Sequence, residues 1–79
     1  MQRSEIKEKL NGVFREVFGP SVPEIREDMT ADDVKNWDSL NHVTLIYATE
    51  KRLKIRFSTK EVQGLKNVGE MIDLIEKKA

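Results

Sequence analysis

Ile6, Leu10, Val13, Phe14, Val17 and Phe18 follow one another at steps of three and four, which commits the first segment to an amphipathic helix with one apolar stripe. The same period returns twice. Leu45, Ile46, Thr49 and Leu53 set a stripe on a helix from about Ser39 to Leu53, and Val68, Met71, Ile72 and Ile75, with Leu74 beside them, set another on a closing helix. No stretch alternates for long enough to predict a strand. Tyr47, Ile55 and Phe57 favour extended backbone, but the helix-start signals around them point the other way. The expected fold is all-α: a small four-helix bundle of three longer helices and one short helix, with a long first loop.

The boundaries follow from capping chemistry. Ser4, with Glu5 and Glu8 behind it, suits the start of the first helix, and Gly19-Pro20 ends it. Gly12 inside that helix costs up to about 1 kcal/mol relative to alanine. From Pro20 to Trp37 the chain is a long connection anchored by Pro23, Ile25, Met29 and Val34, with a short turn of helix expected after Thr30. Ser58 and Glu61 form a capping box for the short helix, Phe57 and Val62 a hydrophobic staple, and Gly64 a stop. The spacing of Asn67 to Glu70 predicts a second capping box at the last helix.

A single domain spanning residues 1–79 can bury one small core but cannot wall in a deep cleft, which argues against an independent enzyme. The absence of cysteine removes disulfides, thiolate nucleophiles and thiolate metal sites, and one histidine makes no metal site. Residues Met1 to Leu10 are densely charged, and no apolar run approaches the roughly 20 residues of a membrane span. A monomer in the cytoplasm, with no signal peptide or anchor and no membrane partner, is the expectation. Fourteen basic and fourteen acidic side chains cancel, so the basic footprint of a nucleic-acid binder is missing. Lys51, Arg52, Lys54 and Arg56 cluster at the end of the second helix, where cations complement the helix dipole.

Trp37-Asp38-Ser39-Leu40 puts a hydroxyl where irregular chain becomes helix. A phosphate on Ser39 would meet the unpaired N–H groups of the first turn and a favourable dipole. Helix capping, by Ser39 itself or by Asp38, is the competing account of the same residues. Leu40, Val43 and Tyr47, at i, i+3 and i+7, give this helix a second apolar edge, suited either to a wide core stripe or to a partner.

Over nearly its full length the chain resembles the acyl carrier protein family. The resemblance is carried by Trp37-Asp38-Ser39-Leu40, then Val43, Leu45, Ile46, Ala48, Glu50, Leu53, Ile55 and Phe57, and finally Val68-Gly69 at the last helix. It implies that Ser39 is the covalent attachment point of 4′-phosphopantetheine, delivered from coenzyme A by a phosphopantetheinyl transferase. Acyl groups would ride as thioesters on that arm to acyl-activating, acyltransferase or ketosynthase enzymes of lipid, fatty-acid or secondary-metabolite synthesis. The protein would be a carrier and an enzyme substrate, with no catalysis of its own. Asp38 and Leu40 would help orient the serine and engage the transferase, and Leu40, Val43, Tyr47 and Glu50 would serve docking. An aminoacyl, peptidyl or polyketide cargo, or an unmodified helical interaction module, are the alternative readings.

Two departures from the family pattern stand out. Thr44, Lys51, Arg52, Lys54, Arg56, Thr59 and Gln63 occupy positions where acids are common, leaving Glu50 nearly alone. Because charge complementarity selects partners, this implies a specialised carrier with dedicated enzymes. Trp37 replaces a small residue and is expected to anchor the loop on the bundle, while His42 lies within one turn of Ser39, where it is either an exposed polar residue or a contact for the phosphate.

Overall fold

A computed structural model describes residues 2–78, so Met1 and Ala79 of the expected 1–79 domain lie outside the described residues. Helices α1 (Arg3–Phe18), α2 (Ser39–Leu53), α3 (Thr59–Gln63) and α4 (Val68–Lys78) build the bundle, with a 3₁₀ turn at Ala31–Asp33. No strand occurs among the described residues, and the fold is all-α as the periodicity requires.

The α1 stripe buries Ile6, Leu10, Val13 and Phe14 completely against Leu45, Ile46 and Leu53 of α2, Val68, Met71, Ile72 and Ile75 of α4, and Ile25, Met29 and Val34 of the loop. Thr49 is buried among them, and its hydroxyl donates to the Leu45 carbonyl at 2.7 Å, so no polar atom is stranded. The expected start at Ser4 needs correction. Arg3 is already helical, Gln2 is the cap residue, and no side chain caps this end. Arg3 instead reaches Glu27 at 2.6 Å, Asp73 at 2.6 Å and Glu76 at 2.5 Å, tying the first turn to the loop and to α4. With the guanidinium holding that turn, Ser4 is left as an exposed helical residue.

The long loop is fastened by backbone. Gly19 adopts φ 101°, a left-handed conformation suited to glycine, and turns the chain out of α1. The Ile25 N–H donates to Asn11 Oδ1 at 3.0 Å. Further on, the Val68 N–H donates to the Met29 carbonyl at 2.9 Å and the Gly69 N–H to the Glu27 carbonyl at 2.8 Å. A Cβ on residue 69 would lie 2.9 Å from that Glu27 oxygen, so the close approach demands glycine. Pro23 proves exposed, and the half-buried Val22 packs on the core in its place. Thr30 and Asp33 cap the short turn reciprocally, as a turn after Thr30 requires.

The Ser58–Glu61 capping box forms at α3. Its Ser58 N–H, followed by Lys78 Nζ at 3.0 Å, holds the Glu61 carboxyl below its ordinary range. At α4 the expected box is only half made. Asn67 Oδ1 accepts from the Glu70 N–H at 2.8 Å, but the Glu70 carboxylate accepts from the Lys66 N–H at 2.9 Å. The loop carbonyls already serve Val68 and Gly69, and the glutamate reaches one residue further back.

Candidate functional site

Asp38 is the residue that caps α2. Its Oδ1 accepts from the Asn41 N–H at 2.9 Å and its carbonyl from the His42 N–H at 2.8 Å. Asn36 prepares the entry with φ 72°, and its carbonyl accepts from the Asp38 N–H at 3.0 Å and from Asn41 Nδ2 at 2.6 Å. Trp37 faces inward between them, edge-on to Phe14 with ring centres 5.3 Å apart and beside Phe18 at 6.0 Å. It is the loop anchor that its large apolar ring implies.

Ser39 is thereby released. It is the first residue of α2 and exposed, and among the described residues its hydroxyl has no hydrogen-bond partner. The N–H groups of Ser39 and Leu40 likewise have no protein acceptor, as expected at a helix start whose single cap serves Asn41. The choice between Ser39 and Asp38 as cap is settled by the 2.9 Å bond from Asn41.

A groove of about 860 Å³ opens beside this serine, between α2 and α3. Val43 and Ile46 of α2 line it, facing Phe57, Val62 and Leu65. Leu40, Val43 and Tyr47 stand 76%, 65% and 65% exposed, far outside the core stripe. The second apolar edge of α2 therefore faces solvent and the groove, not the α1 packing.

Glu50 sits differently from a free surface acid. It is half-buried, and its Oε2 accepts from the Phe57 N–H at 2.8 Å, bracing the turn between α2 and α3. The two adjacent cations also part company. Both are exposed, but Arg52 also lies over Gly12 of α1, where a Cβ would meet its Nη2 at 3.1 Å, with its Nη1 3.9 Å from Glu16. Gly12, costly for a helix interior, makes room for that guanidinium. Among the described residues no three His, Cys, Asp or Glu side chains converge as a metal site, and no helix is long and apolar enough to cross a membrane.

Four helices around one core, with an exposed, unengaged serine where the second helix opens on an apolar groove, define a small α-helical bundle domain. Comparison with known proteins names the family. The acyl carrier protein of Saccharopolyspora erythraea is 30% identical over 74 residues, covering 94% of this chain and 78% of that protein. That of Thermosynechococcus vestitus is 28% identical over 78 residues, covering 99% and 96%. A solution NMR structure of holo acyl carrier protein from Geobacter metallireducens superposes with a TM-score of 0.85 at 40% identity, over 92% of this chain and 84% of that one. No protein-family model matches the sequence. The chain belongs to the acyl carrier protein family.

Proposed function

We propose that this protein carries acyl groups on a 4′-phosphopantetheine arm joined to Ser39 Oγ. The observation that carries the reading is the division of labour at the start of α2: Asp38 does the capping, and the neighbouring hydroxyl is left exposed and without a partner. The residues fit the group. Two free N–H donors flank the serine for a phosphate, and the groove beside it offers an apolar wall of Val43, Ile46, Phe57, Val62 and Leu65 to what the arm bears. The holo state of the Geobacter protein supports the same assignment. When bound, the arm supplies a terminal thiol for thioester chemistry that a chain without cysteine lacks.

The domain's own contribution is presentation without catalysis. A tethered substrate is held at high effective concentration for each enzyme that docks. Leu40, Val43 and Tyr47 form the docking edge, together with Asp38 beside the attachment point. Glu50, committed to the Phe57 N–H, contributes mainly by shaping the groove. Exposed Lys51, Lys54 and Arg56 at the far end of α2 favour dedicated acyl-activating, acyltransferase or ketosynthase partners over enzymes that seek an acidic helix. These belong to lipid, fatty-acid or secondary-metabolite synthesis.

Incubation with coenzyme A, magnesium and a promiscuous phosphopantetheinyl transferase, read by intact-protein mass, tests the assignment. One added phosphopantetheine on the wild type and none on Ser39→Ala is the expected result. Equal addition to both would move the site elsewhere.

A further inference from the structure

The indole Nε1–H of Trp37 donates to Nδ1 of His42 at 3.1 Å. The two rings lie 19° from parallel with centres 6.1 Å apart. The rings are thus nearly parallel and strongly offset, and the hydrogen bond joins their edges. An imidazole that accepts at Nδ1 carries its proton at Nε2 when neutral. The Nε2–H then points away from the indole. It has no hydrogen-bond partner, and among the described residues no buried side-chain nitrogen is unpaired, so this edge of the ring reaches solvent. His42 lines the groove that it shares with Ser39, one helical turn earlier.

We infer that His42, fixed by Trp37 as its Nε2–H tautomer, is a positioning residue that donates to the phosphodiester formed on Ser39 and steers the arm toward the groove. The inference rests on the assignment of Ser39 as attachment point. Trp37 makes the donor dependable: its own ring is pinned by Phe14 and Phe18, and its N–H blocks the tautomer that would leave Nε2 bare. The other charged or titratable side chains that line this groove are Asp38, Tyr47, Glu50 and Lys66. Histidine is the one type among them whose unperturbed charge change falls between pH 5 and 8.

The test uses untagged protein loaded from coenzyme A by a transferase, with loading verified by mass. His42 is the only histidine in the chain, so its ring nitrogens are unambiguous in long-range ¹H–¹⁵N spectra. A phosphodiester has no proton to lose in this range, and its ³¹P signal therefore reports what surrounds it. The expected result is an Nε2–H tautomer in neutral apo protein, together with a ³¹P shift in loaded protein that moves between pH 5 and 8 with the same midpoint as the imidazole. That pH dependence should vanish in His42→Gln. In Trp37→Phe, which keeps an apolar ring but loses the N–H, the tautomer should become mixed and the neutral ³¹P position should move toward that of His42→Gln. A loaded wild type whose ³¹P signal is flat across the titration, or an Nδ1–H tautomer, would overturn this inference alone. A folded wild type that gains no arm would overturn it together with the attachment site.

Discussion

Helices α2 and α4 begin in opposite ways. At α4 the first donors are consumed by the protein itself: Val68 and Gly69 give their N–H groups to the loop carbonyls of Met29 and Glu27, and Glu70 gives its own to Asn67. At α2 one aspartate serves Asn41, while Ser39 and Leu40 keep their donors and stand exposed. Both solutions satisfy the demands of a helix start, one with backbone and the other with solvent. A helix start sealed by its own chain is part of the framework, whereas one left open can receive a charged group in exchange for water, with no hydrogen bond of the protein to break first.

The largest test of this contrast is Gly69→Ala. A methyl group 2.9 Å from the Glu27 carbonyl must push the loop off α4, and a loss of about 1–3 kcal/mol in urea unfolding is expected. A neutral result would mean that the α4 start is not sealed. Next comes the pair Asp38→Ala and Ser39→Ala. The first should cost about 0.5–2 kcal/mol as a lost cap, the second no more than about 0.5 kcal/mol as an exposed substitution. The reverse order would make Ser39 the cap and remove the argument that its hydroxyl is free.

A smaller effect sharpens the electrostatic side. Attaching a phosphate at Ser39 should stabilise the folded protein by about 0.3–1 kcal/mol at low salt, because the anion meets the positive end of α2, and the gain should fade as salt is added. A thermal-melting comparison of apo and loaded protein that shows no salt-dependent difference would count against the phosphate lying along the helix start. The smallest effect belongs to the sealed end. Hydrogen bonds from Arg3 hold the Glu27 carboxyl below its ordinary value of 4.5. A depressed folded value means that the unfolded chain binds the proton more readily. The contribution is therefore complete above the ordinary value and is lost as pH falls through the depressed one. Melting temperature should drop on acidification below about pH 4.5, and Arg3→Gln should flatten that decline.

Periodicity and capping made much of this legible in advance. The α2 span Ser39–Leu53, its buried residues Leu45, Ile46, Thr49 and Leu53, and its exposed edge Leu40, Val43 and Tyr47 could all be read from spacing, because one helix imposes one period on its neighbours. The exposed hydroxyl of Ser39 at the start of α2 was legible for a similar reason, since a residue at a helix start is a local feature. What spacing does not encode is which distant group a side chain meets. Glu50 read as a lone surface acid, yet it holds the Phe57 N–H. Arg52 read as one of four cations at the helix end, and it is exposed as such, but it also reaches across α1 at Gly12. The pairing of Trp37 with His42 depends on the ring geometry of residues five apart across a helix start, which no stripe records. Gly12 and Gly69 were the available hints, because a glycine kept within a helix marks a close neighbour.

The fastening of the first loop also makes a map of where the chain accepts extra residues. Pro23 and Glu24 are exposed and lie between the half-buried Val22 and the anchor at Ile25, so a peptide or fluorophore loop inserted between them lengthens a solvent-facing path, and loop entropy grows slowly with length. Between Glu27 and Met29 the spacing of two carbonyls is matched to two consecutive amides of α4, and a single added residue would put that pairing out of register. The protein can thus be labelled between α1 and Ile25, whereas three residues of the same loop keep the gauge of the whole bundle.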